Sequence, residues 1–193
     1  MASWVQTLFR RQRQDPRDVL LAAMTDFSNS ALASRAVAFY DDPQQFEEFL
    51  DGVNREGPWA EYARAPKPAE LAFEIFFVLL LENNYLGYVD WDAGGDEVLE
   101  AYDRLFLRAG LAKFTDAERE EAARIRTRCR QRGDPLLMLF DHLDAAAKTR
   151  ARKIVHFNMG QADQFPVLLT PEAYGRWTRW NAPKFGKGSP VIP

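Results

Sequence analysis

The chain has 193 residues, of which 47% are hydrophobic, 27% charged and 13% aromatic, and its formal net charge is −3. This length and composition fit one folded domain with a bulky core and exclude disorder over most of the chain. The single cysteine excludes an intramolecular disulfide, and two histidines are too few for the usual zinc ligand sets, so we expect no metal, no cofactor and a reducing compartment.

Residues 3–13 fit a short amphipathic helix that ends in a cluster of arginines. Because these charges follow the apolar residues, the segment is the reverse of a secretory signal, and we expect a cytoplasmic protein. The helix could anchor on a membrane surface or dock on the domain. Docking is favoured because two turns of apolar surface bind a membrane weakly.

Three helices are predicted next, and each start carries a local signal. Asp15-Pro16 begins a helix that ends near Asn29, a second spans 31–40, and Asp42-Pro43 begins a third that stops by Gly52. Residues 52–68 are rich in proline and glycine and predict a long connection. We expect it to lie inside a single domain, residues 1–180, rather than to separate two domains, and residues 181–193 to form an extended or mobile tail.

The most apolar stretch runs from Leu71 to Leu81 and is interrupted only by Glu74. It predicts a buried helix at about 68–86 that begins at Pro68 and that Gly87 ends as a left-handed cap. The apolar run is far shorter than the roughly 20 residues that span a bilayer, so no membrane span is expected.

An acidic turn follows this helix. Counted from Asp90, it resembles the start of a calcium-binding EF-hand loop, but Gly94 and Ala101 stand where the fifth and twelfth positions need oxygen donors. We therefore predict an ordinary turn in which Asp96 caps a helix over 98–107.

Acidic residues gather in and after this turn, since no lysine or arginine occurs between Lys67 and Arg104. Such a run can meet a basic partner. The candidate partner-binding residues are Asp90, Trp91, Asp92, Asp96, Glu97, Glu100 and Asp103.

A basic segment comes next. The capping box Thr115-Asp116-Ala117-Glu118 begins a helix that we expect to run to about Arg132, although alternating arginines from Arg124 onward would also suit a strand. These arginines and two tryptophans of a C-terminal helix could bind phosphates and stack on bases, but the acidic total argues against a nucleic-acid binder. The residues of this alternative are Arg124, Arg128, Arg132, Trp177 and Trp180.

The last third changes character. Asp134-Pro135 begins a helix on which His142 is expected to be structural or solvent-facing. Residues 153–159 and 165–169 then predict an antiparallel hairpin, with Pro166 either on an edge strand or among the first residues of its strand. Thr170-Pro171 begins a last helix. The sequence thus predicts a mainly helical α+β fold, with helices around the 68–86 helix and a small hairpin at about 153–169.

Two segments resemble those of a bacterial family of uncharacterised, mostly helical acidic proteins. They are Asn84-Tyr85-Leu86-Gly87-Tyr88-Val89-Asp90-Trp91 and Asp163-Gln164-Phe165-Pro166-Val167-Leu168-Leu169. The resemblance covers at most residues 71–180 and implies no catalytic residue. Proteins of this kind look like immunity proteins, which block a toxin with a complementary surface.

Three functions remain open at this level. The sequence has no phosphate loop, no metal ligand set and no nucleophile with a recognisable base, so it favours a non-catalytic protein-binding protein, such as an immunity protein. A metal-assisted hydrolase would use Asp90, Asp92, Asp96 or Glu97 as paired carboxylates. A nucleic-acid binder would use the arginine row. The oligomeric state cannot be read from the sequence.

Overall fold

A computed structural model describes residues 15–53, 68–90, 92–128, 134–157 and 164–181. Within these ranges it contains eight helices and two strands, which confirms the mainly helical α+β class. The helices are α1 (Pro16–Phe27), α2 (Ser30–Asp41), α3 (Pro43–Gly52), α4 (Pro68–Glu82), α5 (Gly95–Arg108), α6 (Asp116–Arg126), α7 (Asp134–Thr149) and α8 (Pro171–Asn181), and the strands are β1 (Lys153–Phe157) and β2 (Phe165–Leu169).

The N-terminal helix predicted at 3–13, most of the connection at 52–68 and the tail after 181 lie outside the described residues. The described chain divides into two compact units, residues 1–83 and 84–193. The single domain expected from the sequence stays a prediction. None of the helices in the described ranges combines the length and apolar character needed to cross a membrane.

The first unit is built from α1 to α4. Local caps set the starts of the first two helices: the Asp15 carboxylate accepts from the Arg17 N–H at 2.9 Å, and the Asn29 side chain accepts from the Leu32 N–H at 2.9 Å. Helices α1 and α2 both pack against α4. Aromatic rings fill this core, as in the edge-to-face pair of Phe27 and Phe76 at 5.3 Å.

Helix α4 is the apolar helix that the sequence predicted, and its residues from Ala72 to Leu80 are buried except for Glu74, which is partly exposed. It ends at Glu82, earlier than expected, and the left-handed residue is Asn84, with φ 57°, rather than Gly87. Asparagine tolerates this conformation better than other side-chain-bearing residues. The Asn83 amide also donates to the Leu79 carbonyl at 2.9 Å, which helps to close the helix.

The second unit joins α5 to α8 with an antiparallel sheet. Strands β1 and β2 pair with Lys153 opposite Leu169 and Phe157 opposite Phe165, as the predicted hairpin requires. The segment 86–89 lies along the other side of β2, and the Gly87 N–H donates to the Pro166 carbonyl at 2.7 Å. Strand β2 is therefore flanked on both sides, and Pro166 is its second residue.

Gly87 is required by this close approach rather than as a helix cap. A Cβ atom at Gly87 would lie 3.0 Å from Pro166 Cγ and 3.3 Å from Leu105 Cδ1. A side chain there would crowd Pro166 and Leu105 and force them to shift. Beneath the sheet, α5 and α7 supply the largest part of a core that includes Tyr102, Phe106, Leu139 and Leu143.

Candidate functional site

The acidic turn before α5 is held by its own backbone. The Asp90 carboxylate accepts from the Asp92 N–H at 3.2 Å, and the Asp90 carbonyl accepts from the Ala93 N–H at 3.1 Å. Both aspartates are half-buried, and Trp91 lies outside the described residues. The Asp90 carboxylate therefore stabilises the turn.

Helix α5 begins earlier than the sequence suggested. Its first residue is Gly95 and its N-cap is Gly94, so the prediction that Asp96 caps a helix starting at Val98 was wrong. Glu97 reaches back instead, and its Oε2 accepts from the Gly94 N–H at 2.8 Å. A glutamate side chain is long enough to reach back to the N-cap residue. Asp96 lies in the first turn, near the positive end of the helix dipole.

Among the candidate partner-binding residues in the described part of the chain, Asp103 alone is buried. It is 6% exposed, and its Oδ1 accepts from the Phe114 N–H at 2.8 Å. Its other oxygen pairs with the Arg119 guanidinium. Asp103 therefore fixes the loop between α5 and α6 and does not belong to an exposed acidic surface.

Asp96 also has a basic partner, Arg126 at the end of α6. The Arg126 side chain lies across Gly95, where a Cβ atom would clash with the arginine Cδ. The Asp96 side chain nevertheless remains 76% exposed. The acidic and basic segments, which are separate in sequence, thus contact each other at both Asp96 and Asp103.

The predicted arginine row is interrupted in the structure. Helix α6 ends at Arg126, not near Arg132, and Arg128 lies in the exposed turn that follows. Arg124 is 68% exposed and pairs with Glu121 at 3.0 Å. Arg132 lies outside the described residues.

The two tryptophans of the nucleic-acid alternative belong to α8. Trp177 is 7% exposed, so its ring is not open to a base, and the side chain of Trp180 lies outside the described part. In the described part of the chain, the exposed residues of this alternative are Arg124 and Arg128.

A partly buried ion pair that the sequence did not reveal joins the start of α6 to Arg150, the residue directly after α7. The Arg150 guanidinium donates from Nη1 and Nη2 to the two carboxylate oxygens of Glu118, at 2.7 and 2.8 Å. Its remaining contacts include the carbonyls of Ala112 and Lys113, at 2.9 and 2.8 Å. Only 9% of the Arg150 side chain is exposed, and its guanidinium lies over the Phe106 ring at 4.7 Å.

Glu118 is the centre of this cluster. Its Oε2 also accepts from the Thr115 N–H at 2.7 Å, in the capping box that the sequence predicted. The hydrogen bonds from Arg150 and Thr115 lower the pKa of Glu118 to about 2, although partial burial opposes them. Every polar group here has a structural partner, so the cluster holds the fold together.

Both histidines lie beside aromatic side chains. His156 Nε2 lies 3.2 Å from the Tyr102 hydroxyl, and burial lowers the pKa of His156 to about 4 while the same burial raises that of Tyr102. The half-buried His142 ring stacks on Phe114 at 6.1 Å, which favours the structural alternative over the solvent-facing one.

The metal hydrolase alternative also lacks a site in the described ranges. They contain no group of three or more histidine, cysteine, aspartate or glutamate side chains that could hold a metal ion.

Helix α5 also exposes several carboxylates. Glu97 and Glu100 point outward on its first two turns, next to the half-exposed Asp90 and Asp92 and the exposed Asp96. These carboxylates can attract and orient a basic surface. We name Asp96, Glu97 and Glu100 the acidic face.

Comparisons with other proteins support a family but no activity. Searches of curated proteins and of solved structures gave no match. The profile of a domain of unknown function, DUF6630, matches residues 19–175, which is most of the chain. The chain therefore belongs to the DUF6630 family.

Proposed function

We propose that this chain is a non-catalytic, cytoplasmic bacterial protein that binds another protein, and that it acts as an immunity protein against a toxin. The acidic face would contact a basic surface on that partner. The observation that carries the proposal is the exposure of Glu97 and Glu100 while the nearby arginines Arg119 and Arg126 are engaged with Asp103 and Asp96.

The carboxylates of the acidic face should act mainly on the rate at which the partner binds. Complementary charges raise the rate of encounter between two proteins and suppress wrong partners more than they raise affinity. Asp96 is partly balanced by Arg126, and Glu97 lies beside the positive end of the α5 dipole. No ion pair in the described part of the chain includes Glu100, so it should contribute most to attraction.

The test begins with co-purification from the native host, followed by co-expression with the product of a neighbouring gene. We expect the chain to retain one basic protein and to suppress its toxicity. The double variant Glu97→Gln/Glu100→Lys should lose both effects. Glutamine at position 97 keeps an acceptor for the Gly94 N–H, so the start of α5 is preserved.

A matched control makes the same change in net charge elsewhere. Glu47 on α3 and Glu120 on α6 are both exposed, and the variant Glu47→Gln/Glu120→Lys should bind as the original chain does. Equal loss in the two variants would show that total charge, not the acidic face, governs binding. Elution without any partner, and no effect on toxicity, would contradict the proposal itself.

A further inference from the structure

The outward face of α5 carries both signs of charge in a fixed order. Its exposed residues are Asp96, Glu97, Glu100, Arg104, Leu107 and Arg108. With 3.6 residues in each turn, they fall within an arc of about 120° around the helix. Along the helix axis, the acidic residues of this face come first and the arginines follow. Glu100 and Arg104 are the two charges nearest to the middle of the face.

The two central charges are available for a partner. Glu100 and Arg104 have the spacing of an intrahelical ion pair, yet no ion pair in the described part of the chain includes either of them. Arg108 is held in position because its guanidinium lies over the Tyr85 ring at 4.4 Å.

We propose that this face binds a second copy of the chain in a two-fold symmetric pairing of antiparallel α5 helices. The order of charges is self-complementary when one helix is reversed. With the two-fold axis level with Tyr102, Glu100 lies at the height of Arg104 of the second copy, since each is about 3 Å from that level. Glu97 comes opposite Arg108 of the second copy, and the two helix dipoles are opposed.

An interface made of exposed charges is weak and sensitive to salt. Each exposed ion pair adds little, and association must overcome the loss of translational and rotational freedom. We therefore expect self-association only at high protein concentration and low ionic strength. The inference does not rest on the proposed partner, although a basic partner would compete with the second copy for Glu97 and Glu100.

The test is sedimentation velocity on the purified chain over increasing concentration, up to about 1 mM, at low salt. The average mass should rise with concentration. Glu100→Arg and Arg104→Glu should each weaken self-association about tenfold or more, because like charges then face each other. An equimolar mixture of these two variants should recover it, because opposite charges face each other again.

The exposed Glu120 provides the control, since Glu120→Arg changes net charge by the same amount on another helix and should self-associate normally. Circular dichroism establishes that each variant is folded. A monomer at every concentration would overturn the proposal, and so would a mixture that associates no better than its components. Neither result bears on the partner proposal, because only this chain is present.

Discussion

Removing the Arg150 guanidinium should strongly destabilise the second unit. Arg150→Met keeps most of the apolar length but deletes the pair with Glu118, whose oxygens lie 2.7 and 2.8 Å away. Breaking a well-buried pair costs about 3–5 kcal/mol, because one charge is left without its partner. Glu118 is 21% exposed and the Lys113 contact is exposed, so water recovers part of this loss.

The contact with the Phe106 ring adds about 0.5–1 kcal/mol, so we expect a total loss of about 3 kcal/mol for Arg150→Met. The measurement is urea unfolding followed by circular dichroism, which reports the shift in midpoint at constant slope. Arg124→Met removes an arginine that is 68% exposed and paired with Glu121, and it should cost less than about 0.5 kcal/mol. A loss below about 1 kcal/mol for Arg150→Met, or an equal loss in the two variants, would refute the structural role of this pair.

Three further predictions concern stability. The pKa of Glu118 is about 2 in the folded chain, below its ordinary value of 4.5. The contribution of Glu118 to the free energy of unfolding is therefore complete above about pH 4.5 and is lost as the pH falls toward 2. Urea unfolding of Glu118→Gln at several pH values should show a flatter dependence of stability on pH in that window, and an unchanged dependence would contradict the lowered pKa. Helices α5 and α7 end in equivalent motifs, with left-handed residues Gly110 (φ 70°) and Ala151 (φ 54°). Ala151→Gly should raise the free energy of unfolding by up to about 1 kcal/mol, and Gly110→Ala should lower it by about 1 kcal/mol. Thermal unfolding measures both changes, and changes of the same sign would contradict this prediction. Gly87→Val should lower the free energy of unfolding by about 1–3 kcal/mol because of the contacts with Pro166 and Leu105, whereas an unchanged midpoint would mean that segment 86–89 does not lie against β2.

Features fixed by neighbours in sequence were predicted well. Thr115 and Glu118 form the expected capping box, and the apolar spacing from Leu71 to Leu81 forms the expected helix. The hairpin also formed where β-branched and aromatic residues replace the helical pattern. These signals depend on residues that are close together in the chain, so a single amino-acid sequence is enough to predict them.

Features fixed by distant contacts were missed. Glu118 and Arg150 are 32 positions apart, and nothing in their local patterns distinguishes them from solvent-exposed charges. Asp103 looked like part of an acidic run, but Arg119 and the Phe114 N–H occupy it. The charge of each segment can be read from the sequence, but the ion pairs between α5 and α6 cannot.

Gly87 shows the same limit in the backbone. A glycine after a helix predicts a left-handed cap, and Asn84 took that role instead. The true constraint on Gly87 is the approach of Pro166, a residue of β2 that is far away in sequence. No local pattern could have identified it.

The most direct test of the proposed function is the rate at which the co-purified partner binds the immobilised chain, measured by surface plasmon resonance at several salt concentrations. The account predicts that Glu97→Gln/Glu100→Lys slows association by about tenfold or more and flattens the salt dependence, while Glu47→Gln/Glu120→Lys behaves as the original chain. Association rates that are equal in all three proteins would contradict binding through the acidic face.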